Sequence, residues 1–375
     1  MIPYIKGVIA KQAHVGIPDG LYEEEVGRNG FFGRYAHLYR ENPPVGWSHI
    51  EGPLKPRLYD TQQLHMTAPQ LLFWLDFRKD LLFNDDVKIQ FAKFKETPKS
   101  YFRNADSDEL WFCHSGQGQL KTDFGVLSFE KGDYIVLPRG TTYHFQTWVE
   151  CQFLIIESAS ELTLPDKGIL GQHALFDPAV MVVPDPYLSK KGVAHDLKEF
   201  EIQIKRENEI THVYYPYDPM DVVGWKGTLT AWKINVRDIR PISCDRYHLP
   251  PTAHITFVAH NFVVCSFLPR PLENGDPKAM KVPFYHSNID FDEVLFYHDG
   301  DFFSRTGVAP GMITFHPQGI HHGPQDGAVS RSTNATHTQE IAVMIDTKRP
   351  LRVSSNTEAI ENKEYWQSWK VAAQK

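Results

Sequence analysis

Short apolar runs cut by glycine and proline, rather than long amphipathic stretches, set the pattern of this chain. ELWFCHSGQGQL at 109–120 and EVLFYHDGDFF at 293–303 are apolar-rich, roughly alternating, and broken by Gly116 and Gly300. Alternation with a period of two marks a strand with one face buried. GDYIVLPRG at 132–140 and GMITFHPQG at 311–319 each read as a strand entered through a glycine turn and left through a Pro-x-Gly turn. Near the end, NTEAIENKEYWQSWK at 356–370 has a helical look that starts at Thr357, and it predicts one amphipathic helix.

The runs are copies of one another. Residues 100–116 align without a gap on 284–300 at an offset of 184. They share Asn104/Asn288, Asp106/Asp290, Asp108/Asp292, Glu109/Glu293, Phe112/Phe296, His114/His298 and Gly116/Gly300. The blocks from Gly132 and Gly311 match at an offset of 179 through Gly132/Gly311, Pro138/Pro317 and Gly140/Gly319. Two blocks repeated in the same order imply a duplicated domain. Short strands at this spacing predict a mainly β chain of two antiparallel barrels. The expected division is 1–165 for the first barrel with its extension and 166–235 for a linker and entry strands. The second barrel then takes 236–350, and 351–375 form a C-terminal helix or tail.

Bulk composition narrows the partners. With 375 residues there is room for two well-buried domains. The 26 prolines, 25 glycines and 13% aromatic residues favour strands and turns. A net charge of −7 offers no basic footprint for nucleic acid, and no Lys/Arg cluster suggests a membrane surface. Cys113, Cys151, Cys244 and Cys265 are scattered without a CxxC pair, which suits reduced thiols. No apolar run of about 18 residues occurs, so the expected location is cytoplasmic.

Only the second copy carries a complete set of metal-type side chains. His286, Glu293 and His322 follow the spacing H-x6-E, with Gly300 and the Pro317-x-Gly319 turn at fixed distances. Two imidazoles and one carboxylate on one face, with the opposite face open, are what a ferrous site for O2 chemistry needs. A lone strand histidine is more often a core residue; the whole pattern argues for a ligand set. Asp292 and His321, each next to a ligand, should point to the opposite face. The first copy is an internal control. It has Phe102 and Tyr143 where the second has His286 and His322, and His144 is one residue out of phase. The first barrel is therefore expected to be metal-free.

These blocks are those of the cupin superfamily. The opening GLYEEEVGRNGFFGRYAHLYRENPP at 20–44, GWKG at 224–227, YHLPP at 247–251, FYHSN at 284–288 and FHPQGIHHGP at 315–324 together resemble the homogentisate 1,2-dioxygenases. The resemblance implies a bicupin: two double-stranded β-helix (jelly-roll) barrels with few peripheral helices. It implies Fe(II) on His286, Glu293 and His322, with His248 meeting the substrate's ring hydroxyl and His316 as a second catalytic histidine. Asn288, Phe302 and Tyr285 become the expected substrate contacts. The implied reaction opens homogentisate with O2 to give maleylacetoacetate, in tyrosine and phenylalanine catabolism. The implied assembly is a trimer-based homo-oligomer. There are departures: one more residue separates His286 from Glu293 than in the animal enzymes, and Phe302 stands where they have an active-site tyrosine. Gentisate- or hydroquinone-type cleavage, a non-catalytic bicupin, and an isomerase using zinc or manganese in the same cage are the alternatives.

Overall fold

A computed structural model describes residues 5–7, 9–66, 73–166, 168–186, 199–207, 209–302, 305–325, 328 and 334–371. Part of the expected linker, 187–198, lies outside these. Among the described residues the chain is mainly β, and its bounded helical segments are 3-10 turns of three to five residues. No described helix is long and apolar enough to cross a membrane.

The first barrel is made of two facing sheets. One runs, in spatial order, Trp232–Asn235, Asp133–Leu137, Asp108–Ser115, Cys151–Ser158, Val87–Phe94, Arg78–Phe83 and Arg352–Val353. The other runs Glu209–Tyr215, Phe200–Arg206, Tyr101–Asn104, Thr142–Thr147, Gln117–Thr122 and Gly125–Glu130. Alternate residues of the first sheet, among them Trp111, Cys113, Phe153 and Ile155, fill the barrel together with Trp74, Phe94 and Phe145. Their neighbours Leu110, Phe112, Leu154 and Ile156 point the other way. There they join Phe257, Val264, Val294, Phe296 and Ile345 of the second barrel in one cluster. A sheet buried on both faces needs apolar residues at nearly every position. This is why Asp108–Ser115 is buried almost throughout and its alternation is only rough.

The second barrel centres on the sheet Ile255–Ala259, Phe262–Phe267, Ile341–Thr347, Asp292–Asp299, Met312–His316 and Arg57–Asp60. A smaller sheet of Tyr285–Asn288, Tyr22–Gly27 and Tyr35–Arg40 also belongs to it. The duplication is visible where the barrels meet. His114 and its own copy His298 bring their Nδ1 atoms to 3.0 Å, and the rings of Phe112 and Phe296 lie 6.2 Å apart. Repeat equivalents thus meet one another directly at the junction.

Chain order and packing part company at the edges of the barrels. Arg57–Asp60 and the opening strands pair with the second barrel, through Met312–His316 and Tyr285–Asn288. Phe200–Arg206 and Trp232–Asn235 pair with the first, as does Arg352–Val353 from the far end.

The expected C-terminal helix is not formed. Ser355–Thr357 and Tyr365–Trp369 are separate 3-10 turns. Between them the backbone is drawn into pairing with Arg57–Asp60: Asp60 N–H donates to the Ile360 carbonyl (3.0 Å) and Asn362 N–H to the Leu58 carbonyl (2.8 Å). Tyr365 and Trp369 then bury their rings beside Leu58 and Val45. Edge pairing plus burial of these two rings outweighs the modest propensity of an isolated helix this short.

Candidate metal centre

Three separate segments build the centre. Glu293 stands on Asp292–Asp299 directly across from His316 on Met312–His316, so both side chains project into the same barrel. Asp292, one residue earlier, faces away and accepts from the Gln318 and Leu351 backbone N–H groups at 2.8 and 2.6 Å. Its copy Asp108 does the same for Arg139 and Leu162, at 2.8 and 2.9 Å. His286 does not sit on a strand adjoining that of Glu293. Its strand pairs in parallel with Tyr22–Gly27 and bridges to His322, whose carbonyl accepts from the His286 N–H at 3.3 Å.

The ligand atoms of His286, Glu293 and His322 all lie within 4.8 Å of one another. Glu293 Oε2 is 3.7 Å from His286 Nε2 and 3.5 Å from His322 Nε2. The two rings meet edge to face at 4.7 Å and 85°. His286 Nδ1 is 3.0 Å from the Phe284 carbonyl, which fixes Nδ1 as the protonated nitrogen and leaves Nε2 with a lone pair. His322 Nε2 is buried and has no hydrogen-bond partner. A buried nitrogen that makes no hydrogen bond and faces a carboxylate and a second imidazole is placed as a cation ligand would be. The donor set of two imidazoles and a carboxylate therefore fits a divalent transition metal.

Electrostatics prepare the ligands. Burial opposes the charge on Glu293, but His322, His286 and His316 outweigh it and hold the carboxyl well below its usual range. Burial lowers His322 against the pull of Glu293. It lowers His316 to about 4. Lowered His316 and His322 beside an ionised Glu293 match the protonation states a metal requires.

The other expected residues are placed as follows. His316 Nδ1 bonds the second oxygen of Glu293 at 2.7 Å, and its Nε2 lies 3.4 Å from the Tyr365 hydroxyl, so it orients the carboxylate. His321 faces away from the centre and pairs with Glu24. His248 is buried in a loop and bonds Glu273 at 3.1 Å; the ring of Phe284 lies 4.6 Å from His248 and 5.4 Å from His286. Burial lowers the His248 pKa, overriding Glu273. Asn288 is buried on the same side of its strand as His286. Tyr285 points instead toward the cluster of Trp47, Tyr365 and Trp369, and Phe302 packs on Tyr297 at 4.9 Å within an apolar cluster. The geometry therefore does not bring these two aromatics to the ligands.

The first barrel answers the same position with a fixed cation. Arg78 bonds Glu109 at 2.6 Å, Glu157 at 3.2 Å and the Tyr143 hydroxyl at 2.9 Å, and it lies over the Phe102 ring at 4.8 Å. His144 bonds the Pro98 carbonyl on the other side of its strand. Arg78, Glu273 and Tyr365 were not singled out from sequence, and neither was an opening-segment group of His14, Glu23, Glu25 and His37. The Glu23/Glu25 alternation, with His37 beyond, was the available signal for that group.

Most of the chain has sequence relatives. The family model "Homogentisate 1,2-dioxygenase N-terminal" matches residues 83–236. A putative dioxygenase, SSO1533, of Saccharolobus solfataricus is 37% identical over 97% of this chain and 98% of its own. The chain belongs to the homogentisate 1,2-dioxygenase family. The homogentisate 1,2-dioxygenase of Nitrobacter hamburgensis is 26% identical over 68% of this chain, and the match spans 58% of that protein's length. Among solved structures, a cupin 2 conserved barrel domain protein from Leptotrichia buccalis aligns with a TM-score of 0.32 at 9% identity, over 72% of this chain and 88% of its own. The match to SSO1533 thus extends past residues 83–236 and across the second barrel, which in this chain holds His286, Glu293 and His322.

Proposed function

We propose that this family member is an Fe(II)-dependent dioxygenase that cleaves the ring of a dihydroxylated aromatic acid, homogentisate being the first candidate. The observation that carries the reading is the convergence of His286, Glu293 and His322 with His322 Nε2 buried and unpartnered. Fe(II) held there would supply open coordination positions for substrate and O2. The chain's own residues do the rest. His316 holds one oxygen of Glu293, leaving the other for the metal. His248, kept neutral by burial and oriented by Glu273, is suited to take a proton from a ring hydroxyl. Asn288 adds a buried amide beside His286. In the homogentisate case the product is maleylacetoacetate, formed in the cytoplasm by a trimer-based assembly.

The test is O2 uptake by the Fe(II)-loaded full chain with homogentisate against gentisate, with product absorbance recorded. Faster uptake with homogentisate supports the first candidate, and faster uptake with gentisate moves the substrate assignment. His322→Ala should lose iron and O2 uptake while keeping its far-UV circular dichroism. An active His322→Ala protein rejects the centre itself.

A further inference from the structure

The opening segment builds a second group that mirrors the first. The ligand atoms of His14, Glu23 and His37 all lie within 4.8 Å of one another. Glu23 and Glu25 alternate on one face of Tyr22–Gly27, and His37 stands directly opposite Glu25 on Tyr35–Arg40. Side chains so paired are neighbours. His14 comes from a loop and takes a left-handed φ of +64°, which a residue with a Cβ seldom adopts. The Glu23 carboxylate holds it there, accepting from the His14 backbone N–H at 2.9 Å. The two imidazoles meet edge to face at 4.9 Å and 87°, against 4.7 Å and 85° for His286 and His322. Glu25 brings a second carboxylate, its Oε2 3.3 Å from His14 Nε2.

These atoms satisfy one another only in part. His14 Nδ1 lies 2.9 Å from Glu23 Oε1, while His37 Nε2 and Glu25 Oε2 are buried and make no hydrogen bond. Buried polar atoms are nearly always paired, and a cation shared by these side chains would satisfy both. The donor set of two imidazoles and carboxylates suits a divalent ion of intermediate softness. We propose that His14, Glu23 and His37, with Glu25 as a further donor, form a second site for a divalent transition-metal ion such as Zn2+.

The site adjoins the first. Phe284 lies 4.8 Å from His14 and 5.4 Å from His286, and Glu25 is the parallel-strand partner of His286. An ion here pins the opening hairpin against the strand that carries His286, so its role is positional. The competing occupant is a proton. Burial opposes a charge on His14, yet Glu23 and Glu25 outweigh it and push its pKa up to about 9.

The test counts ions on the full chain, stripped of metal, with Zn2+ as probe in equilibrium dialysis. Wild type should bind about two ions, and His322→Ala and His37→Ala about one each. The double variant should bind none. His37 is half-buried, so its removal perturbs packing least; Glu23→Gln is the second variant if thermal melting shows His37→Ala to be unfolded. Co2+ added to His322→Ala should give a visible absorption band that the second substitution abolishes. A wild-type count of one that His322→Ala removes and His37→Ala leaves overturns the second site and keeps the first. A count of one with the opposite pattern keeps the second site and rejects the first. A His37→Ala or Glu23→Gln protein that still binds two ions overturns the assignment of the ligands.

Discussion

At the scale of single residues, the two copies diverge in what neutralises one buried glutamate. Glu293 has three imidazoles, those of His286, His316 and His322; Glu109 has the guanidinium of Arg78, a tyrosine hydroxyl and an asparagine amide at 2.9 Å. Burial opposes ionisation of Glu109, and Arg78 first and Tyr143 next reverse it. Removing one partner of a buried ion pair leaves an uncompensated charge, which costs about 3–5 kcal/mol. Arg78→Ala is therefore expected to lower unfolding free energy in urea by about that much, through Glu109 and Glu157 together. A change below about 1 kcal/mol would show that the carboxylates find other partners. The role of Arg78 was hidden in the sequence, because an arginine opening a strand looks like any surface cation. The triad was legible because the second copy keeps histidines where the first has Phe102 and Tyr143.

At the scale of elements, the shared glycines do the same work twice. Gly116 and Gly300 follow equivalent strands and take φ of +98° and +94°. A Cβ on Gly300 would sit 1.9 Å from the Gln339 carbonyl oxygen, and one on Gly116 would sit 2.8 Å from that of Glu150. Gly140, at +82°, has nothing within 4 Å of such a Cβ. Gly140→Ala should cost only the backbone strain, about 1 kcal/mol, and Gly300→Ala more than about 2 kcal/mol. Equal urea midpoints for the two variants would contradict this. Such positions are readable from sequence, since the glycine recurs in both copies at one place in the pattern. The C-terminal helix was misread for the opposite reason. Periodicity reports a face to bury and is silent about an edge strand, here Arg57–Asp60, waiting for a partner. The opening segment has no copy in the repeat, so the Glu23/Glu25 alternation and His37 stood alone and nothing in the sequence tied His14 to them.

At the scale of the whole molecule, the barrels are joined through a sheet buried on both faces and through one imidazole pair. Burial lowers His114 to about 4, and His298 to about 3 with His114 adding to it. Two nitrogens 3.0 Å apart share one hydrogen, and a second proton would set two N–H groups against each other. In the unfolded chain both rings titrate near about 6.5, so below that pH the unfolded state takes up protons the folded state refuses. The stability they contribute is complete above about 6.5 and is lost as pH falls through about 4 for His114 and about 3 for His298. A His114→Leu/His298→Leu variant should lose less melting temperature than wild type between about pH 7 and about pH 4.5 in calorimetry. Parallel losses would place the acid sensitivity elsewhere. The exchanged edges of the barrels carry a further consequence, for the order of assembly during synthesis. The hairpin of Tyr22–Gly27 and Tyr35–Arg40 leaves the ribosome early but must wait for Tyr285–Asn288 to meet its docking strand, while Arg78–Phe83 keeps an open edge until Arg352–Val353 arrives. Each barrel thus takes a strand that lies beyond the other in the chain, so neither closes from one contiguous stretch of sequence.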